Sequence, residues 1–385
     1  MGAPQSRLYE AALGLQRAGW EVEVVTALPN YPTGKIFPAY RGKFSVTEQL
    51  NGLRIRRYWL YASNSRRAIP RIISMASFSI TALLAVFSMI KKRPTYIWIE
   101  SPPLLLALSG YVMGRISGAR TVLNISDLWP LSAGELGAIR PGGIIYRILE
   151  SLERFLYRHA YACTGQSQEI VDYIERSGGQ RVWLFRNGVN VERFPAAPEK
   201  PFQHPLKIVY AGLLGVAQGI LEYCRQLEFD PAQIEFHIYG DGAERKAIES
   251  YLAQGNKAGI YLHAPVKRDE VPAMLMQYDL TLIPLIKPIY GAVPSKIYEA
   301  MAAGLPILFA GGGEGAQIVA DQGAGWICPP SDFEAMQALL DDIAQLPDEV
   351  LAEKRLHCLD AARNIFNREM QIEGLHRRLM VTMEP

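Results

Sequence analysis

The residues most able to do chemistry lie between Tyr290 and Pro306. The run from Gly291 reads Gly-Ala-Val-Pro-Ser-Lys-Ile-Tyr-Glu-Ala-Met-Ala-Ala-Gly-Leu-Pro. Its pattern predicts a helix over 295–303, begun by Pro294 and Ser295 with Ser295 as the N-cap, and ended by Gly304. Lys296 then stands in the first turn, where a cation opposes the helix dipole. An anion bound beside it would remove that conflict. Glu299 follows one turn on, placed to accept hydrogen bonds from ribose-like hydroxyls. The plain alternative for Lys296 and Glu299 is a solvated pair at i, i+3.

Two other segments have features suited to a nucleoside diphosphate. Gly212-Leu-Leu-Gly215-Val-Ala-Gln218-Gly219 follows an apolar strand and opens a helix. Its glycines permit close backbone approach to a phosphate, and a helix N-terminus supplies N–H groups and positive potential. Gly240-Asp241-Gly242 ends another apolar strand, where it can lie against a base or ribose. Either segment, taken alone, is equally readable as an ordinary turn.

Stepping from these residues to their supports, the chain alternates strands with helices, the mark of a parallel α/β sheet. In the first half, Leu8–Ala18 predicts a helix ended by Gly19, and Val22–Val25 a strand. Residues 53–60, 97–99 and 121–125 predict strands; 70–90 and 104–117 predict helices. The second half repeats the alternation, with strands at 207–211, 235–239, 260–262, 280–284 and 306–309 and helices at 243–252 and 295–303. Between the halves, Phe194–Pro205 holds prolines at 195, 198, 201 and 205 and reads as a linker. The length of 385 residues suits two domains. The expected division is 1–193, linker 194–205, 206–365, and a C-terminal helix 366–385 packing back on the first domain. Two doubly wound domains would place a cleft at the carboxyl ends of their strands.

Residues 1–200 carry 25 Lys/Arg and 14 Asp/Glu, whereas 201–385 carry 15 and 24. A basic half beside an acidic one suggests an anionic partner for the first, a phospholipid surface or a lipid diphosphate. Nucleic acid is not expected, because no aromatic-interleaved basic motif occurs. Ile72–Ile90 is uncharged, with Arg66, Arg67 and Arg71 before it and Lys91, Lys92 and Arg93 after it. It reads as a domain helix packed on the sheet, as a surface anchor on anionic lipid, or as a bilayer span. Basic residues at both ends and interspersed serines disfavour the span. Cys163, Cys224, Cys328 and Cys358 lie far apart without a Cys-x-x-Cys pair, which fits a reducing cytoplasm and gives no zinc site.

The segment from Gly291 to Pro306 resembles the donor-site motif of family-4 retaining glycosyltransferases, which have the GT-B fold. It is similar in particular to the O-antigen and capsule amino-sugar transferases of the WbuB type, with their pattern G-x-V-P-S-K-x-x-E-x-M-A-x-G-x-P. Arg7-Leu8-x-Glu10, Gly19-Trp20-Glu21-Val22, Pro29-Asn30-Tyr31-Pro32, Asp127-Leu128-Trp129-Pro130 and Asn187-Gly188-Val189 resemble further family segments in order and spacing. The resemblance thus spans nearly the whole chain. It implies transfer of a sugar, an N-acetylated amino or deoxy sugar, from a UDP- or GDP-sugar to a polyprenyl-diphosphate-linked acceptor in surface polysaccharide synthesis. The enzyme would work at the inner face of the cytoplasmic membrane, with no cofactor. Glu299 would bind ribose and Lys296 the diphosphate. Gly212, Gly215 and Gln218 would line the phosphates, and Gly240, Asp241, Gly242 and His263, in the stretch Leu262–Pro265, the nucleoside. Backbone groups of Gly291, Ala292 and Val293, with Ser295, would serve sugar or phosphate. Asn30, Tyr31, Asp127 and Trp129 would face the acceptor, with Asp127 orienting its hydroxyl.

Two departures from the family's pattern stand out, beside the absence of one metal-binding motif. The broader family has a second glutamate eight positions before the ribose-binding one, where this chain has Gly291. No Asp-x-Asp occurs, so no metal-chelated diphosphate is indicated and Lys296 would carry the charge. The chain also opens inside the turn that follows the family's first strand, so residues upstream of Met1 are expected. A sugar-nucleotide epimerase of the same fold and a non-catalytic nucleotide-binding protein at the membrane are the competing readings.

Overall fold

The computed structural model describes residues 3–381 apart from 32, 66, 136, 196–200, 256, 287 and 288. Pro32, Arg66 and Pro198, named above, lie outside the described residues. The chain forms two compact units, residues 1–186 with 371–385, and residues 187–370.

The first unit runs α1 (Ala3–Arg17), β1 (Glu23–Ala27), β2 (Ser45–Leu50), β3 (Leu53–Tyr58), α2 (Ala68–Ala82), α3 (Val86–Lys92) and β4 (Tyr96–Ser101). It continues with α4 (Leu104–Ser117), β5 (Arg120–Ile125), α5 (Leu131–Glu135), α6 (Ile144–His159), β6 (Ala162–Gly165), α7 (Gln168–Arg176) and β7 (Val182–Leu184). Its strands form two sheets. One has the order β1-β3-β2, with β2 antiparallel; the other is parallel, β4-β5-β6-β7. Among the described residues no ladder joins β1 to β4. Helix α1 spans the interruption: Ala12 packs with Leu53 and Ile55 of the first sheet, and Ala11 and Leu15 pack with Val122 and Ala162 of the second.

The second unit runs β8 (Leu206–Ala211), α8 (Ile220–Gln226), β9 (Ile234–Tyr239), α9 (Arg245–Leu252), β10 (Ile260–His263), α10 (Val271–Leu275) and β11 (Leu280–Pro284). There follow α11 (Ser295–Ala303), β12 (Ile307–Ala310), α12 (Gly313–Asp321), β13 (Gly325–Cys328), α13 (Phe333–Ile343) and α14 (Asp348–Asn364), after which α15 (Arg368–Val381) passes to the first unit. All six strands are parallel, in the order β10-β9-β8-β11-β12-β13. The chain starts in the middle and winds outward both ways, so the order reverses between β8 and β11. Pairing there covers only Ile208–Val209 against Leu280–Thr281, whereas β8 pairs with β9 over its full length. The carboxyl ends of β8 and β11 therefore part, leaving room beyond them.

The units do not divide at the expected linker. Residues 187–193 belong to the second unit because they pair with the loop before α15. Val189 N donates to Phe366 O at 2.8 Å, and Arg368 donates through Nε to Asn187 O at 2.9 Å and through Nη2 to Gly188 O at 2.7 Å. Phe202, in the proline-rich segment, is buried in that unit's core under the Arg355 guanidinium, 4.0 Å from the ring centroid. From Gln371 onward α15 belongs to the first unit. Ile372 lies so close to Gly14 of α1 that a Cβ there would sit 2.8 Å from its Cγ2.

The stretch predicted as one helix over 70–90 is interrupted by a 3-10 turn at Leu83–Ala85. It packs on α4, with Thr81, Ala82 and Ala85 buried and Ile72, Ile80 and Phe87 exposed.

In α6, Glu153 is fully buried and accepts hydrogen bonds from Tyr157 Oη at 2.8 Å and Tyr173 Oη at 3.1 Å. Burial outweighs these bonds and pushes its carboxyl up to about 7 from 4.5. The folded chain then holds this proton more tightly than the unfolded one. Its contribution to stability is complete below about pH 4.5 and is lost as pH rises through about 7. Urea unfolding should show a wild-type decline of roughly 2–3 kcal/mol over that window from this group. Glu153→Gln should flatten it; an unchanged slope would exclude Glu153 as the source.

Candidate functional site

The second unit's site lies beyond the parting of β8 and β11. Gly304, at φ +68, caps α11 in the left-handed conformation. At the other end Pro294, at φ −60 and ψ 124, occupies the N-cap, and Ser295 is already helical. The expected Ser295 cap is therefore incorrect, and no side chain caps this terminus. The proline fixes an extended approach that a serine cap would otherwise supply.

Lys296 leaves the first turn of α11 toward β8. Its Nζ lies 4.1 Å from the centroid of Tyr210, and a Cβ on Gly212 would collide with that Nζ. A side chain at Gly212 would thus push the lysine tip aside. Desolvation lowers the Lys296 ammonium to about 8, opposed by the charge of Glu299. Among the described residues neither Lys296 Nζ nor the Glu299 carboxylate has a hydrogen-bond or ion-pair partner. Glu299 is raised by burial, opposed by Arg268, Arg193, Lys296 and Arg368 in that order. Four cations around one half-buried carboxylate make this the electropositive place in an otherwise acidic half.

The glycine turn differs from its expected form. Helix α8 starts at Ile220 with Gly219 as its N-cap, and Leu221 N faces the Glu244 carboxylate at 3.5 Å. A carboxylate thus already meets one N–H of that helix N-terminus. Gly215 O accepts from Gln218 N at 3.0 Å, and Gln218 Oε1 is buried without a donor. Gly240 and Gly242 are required by backbone packing: a Cβ on Gly240 would strike Gly212 O, and one on Gly242 would strike Leu214 O. Leu214 N bonds Asp241 O at 2.9 Å, and Glu244 N bonds Leu214 O at 2.9 Å. Segments 212–219 and 240–244 therefore form one body.

The His263 side chain is committed elsewhere. Its ring stacks on Tyr239 at 4.4 Å and on His237 at 5.2 Å, with His237 Nδ1 2.9 Å from His263 Nε2. Burial and then His237 lower its pKa. Arg245 Nη1 ties His263 O, at 3.1 Å, to Gly240 O. Val293 is buried in the core and Ala292 N bonds Ile289 O at 3.0 Å.

In the first unit, a polar network lies at the carboxyl ends of β4, β5 and β6. Glu100 Oε1 accepts from Arg7 Nη2 and Ser126 Oγ, both at 2.6 Å, and Oε2 accepts from Asn124 Nδ2 at 2.5 Å. Arg7 Nη1 also donates to Gln166 Oε1 at 2.8 Å. Asp127 stands beside it at the surface, its carboxyl raised by partial desolvation and by the charge of Glu100 and lowered by Arg7. Glu100 and Gln166 were not singled out from the sequence; both end strands, a position that could have drawn attention. Trp129 is half-buried next to Asp127, whereas Tyr31 is 64% exposed and Asn30 Nδ2 bonds Leu28 O at 2.8 Å. Asn30 and Tyr31 follow the other sheet, and no described contact joins them to Asp127.

Residues 2–188 match the family of glycosyl transferase 4-like domains, and residues 206–346 match the glycosyl transferases group 1. A Pseudomonas aeruginosa protein assigned as the glycosyltransferase WbjE is 27% identical over 63% of this chain, and the match spans 64% of that relative. A protein of Escherichia coli strain K12 assigned as the colanic acid biosynthesis glycosyl transferase WcaI is 24% identical over 75% of both chains. Among solved structures, sucrose-phosphate synthase of Thermosynechococcus elongatus superposes with a TM-score of 0.74, at 17% identity, covering 99% of this chain and 94% of that one. Anabaena HepE in complex with UDP-glucose gives 0.60, at 14% identity over 85% and 86%. These likenesses show the GT-B fold, with parallel sheets in two Rossmann-like domains.

The desolvated ammonium costs stability wherever it is charged, which in the folded chain is below about pH 8. Lys296→Met should therefore raise unfolding free energy by roughly 1–2 kcal/mol at pH 7, with the gain vanishing toward the ordinary lysine pKa. Gly240→Ala, forced against backbone, should lower it by roughly 2–4 kcal/mol. Chemical denaturation at two pH values checks both, and a destabilised Lys296→Met would contradict the assigned cost.

Proposed function

We propose that this chain, whose two halves match glycosyltransferase domain models and whose fold is GT-B, moves a sugar from a nucleoside diphosphate sugar to a lipid-linked glycan acceptor in surface polysaccharide synthesis. The observation that carries this reading is the unpaired, desolvated Lys296 ammonium at the reversal of strand order, with Arg193, Arg268 and Arg368 around Glu299. Polysaccharide-synthesis names among the relatives, and a UDP-glucose complex among the fold neighbours, support it.

The diphosphate is the leaving group, and its developing charge is where stabilisation lowers the barrier most. Lys296 and the arginines provide that charge, without a metal in this reading. Gly212 keeps the approach to Lys296 open, and Glu299 takes the ribose hydroxyls. Gln218 Oε1, buried and lacking a donor, accepts from the donor substrate. We assign retention of configuration without a covalent intermediate, and an amino or deoxy sugar as in the WbuB-type subgroup. In the first unit Asp127, with its carboxyl raised, orients the acceptor hydroxyl, and the Arg7–Glu100 pair fixes the charge beside it. The acceptor is a polyprenyl diphosphate glycan at the inner, anionic face of the cytoplasmic membrane.

Two measurements test this. Titration calorimetry with UDP should show affinity falling as pH rises through about 8, because above it the complex must take up a proton at Lys296. Lys296→Met should remove that dependence and weaken binding by about 10–100-fold at pH 7. Separately, UDP- and GDP-sugars with a polyprenyl-diphosphate acceptor should yield a glycosylated lipid by mass spectrometry. Absence of both nucleotide binding and turnover would overturn the reading.

A further inference from the structure

One helical stretch, Ile69–Lys92, is long and apolar enough to cross a membrane by length and composition, yet only 22% of its apolar 18-residue window is buried. Its large exposed apolar residues are not scattered. Ile69, Ile72, Ile80, Leu84 and Phe87 recur at helical spacing and form one stripe, with Ile80 and Phe87 each 66% exposed. The opposite side, with Ser79, Thr81, Ala82 and Ala85, is buried. A helix anchored along one side through buried contacts is placed to enter a bilayer sideways, to about half its width, rather than to traverse it.

The stripe continues onto two neighbours. Helix α4 lies against α2 and α3 and exposes Leu105, Val112 and Ile116. Helix α6 lies against α4, joined by Tyr111 edge-on to Phe155 at 5.5 Å, and exposes Ile144 at 80%, Ile145 at 65% and Ile148 at 62%. Three adjacent helices thus present aliphatic residues on one unit, an extent unusual for a surface meant only for water.

Charge identifies what covers it. From Gln49 to Ser126 the sole acidic residue is Glu100, which is bound within the Arg7 network. The same segment carries Arg67, Arg71, Lys91, Arg93 and Arg115 at the ends of these helices. None of the five has an ion-pair partner among the described residues. An open cavity of about 680 Å³, lined by Ile90, Arg93, Arg115, Ile116 and Arg120, lies where α3 and α4 end. Aliphatic side chains bordered by unpaired cations match hydrocarbon bordered by anionic headgroups. A second copy of this chain would bring the same cations against themselves.

We propose that the exposed sides of α2, α3, α4 and α6 form one bilayer-docking platform. Their aliphatic residues enter the acyl boundary, and Arg71, Lys91, Arg93 and Arg115 take anionic phosphate headgroups, with the cavity at the foot of α3 and α4 holding one. It deepens the lipid-acceptor reading by naming the surface, and it stands or falls separately from sugar transfer.

The test is co-sedimentation of the full chain with phosphatidylcholine vesicles and with vesicles of equal phosphatidylcholine and phosphatidylglycerol. The wild type should bind the mixed vesicles more tightly. Ile80→Glu with Phe87→Glu should weaken binding to both by at least about tenfold. Arg71→Glu with Arg115→Glu should abolish only the preference for the anionic vesicles. Ile144→Glu with Ile148→Glu, on a different helix, repeats the first test should the α2/α3 pair fail to fold. UDP affinity and the thermal transition, measured on every variant, should stay at wild-type values. Wild-type protein left in the supernatant with both vesicles would overturn the proposal, as would a glutamate pair that binds like wild type. So would a wild-type dimer, dissociated by these substitutions, that ignores vesicles. Loss of UDP binding in the wild type would instead overturn the transferase reading and leave vesicle binding standing.

Discussion

An ammonium held out of water without an anion is the constraint on which the second unit depends. Lys296 is placed by the first turn of α11, with Tyr210 beneath its charge and the bare backbone of Gly212 in front of it. Each requirement fixes another. Gly212 can pass that close only because Gly240 lets the next loop approach its carbonyl, and Gly242 does the same at Leu214. Arg245 then ties the end of β9 to the end of β10.

How far this was legible in the sequence follows from how local each feature is. Lys296 and Glu299 share one helix and one short motif, so residue order alone brings them together. Arg193 ends a 3-10 turn, Arg268 lies in a loop and Arg368 opens α15, and no spacing rule links them to Glu299. Arg7, Glu100 and Gln166 are similarly separate in sequence and meet only because their elements end at one edge. The glycines illustrate a subtler limit. Gly212, Gly240 and Gly242 stand out in the sequence, but a sequence does not say whether a glycine makes room for a ligand or for another strand's carbonyl. Here two of the three make room for backbone.

The fold shows the same division. Strands with buried, branched residues, such as Leu206–Ala211 and Leu280–Pro284, announce themselves, as does α4 between its proline and Gly118. Strand β2 does not, because Ser45–Leu50 is a largely exposed edge with little apolar alternation. The proline-rich segment looked like a boundary, yet Phe202 is core and residues 187–193 are held by Arg368, a residue 180 positions away. The 70–90 helix was ambiguous for a physical reason: its composition satisfies packing and lipid equally, and only the three-dimensional side it presents distinguishes them.

The short ladder between β8 and β11 carries a mechanical meaning. A parallel sheet distributes load through its rungs, and here the central seam has fewer than either flank. The six strands therefore behave as two stiff triplets joined along a compliant line. The Thr281 hydroxyl, bonded to Val209 O at 3.0 Å, serves as an added rivet at the closed end of that line. Anything bound where the triplets part acts as a wedge and a clasp together. Its arrival stiffens the sheet from the middle outward, so strands remote from the bound molecule feel its occupancy through their shared backbone rather than through any side chain.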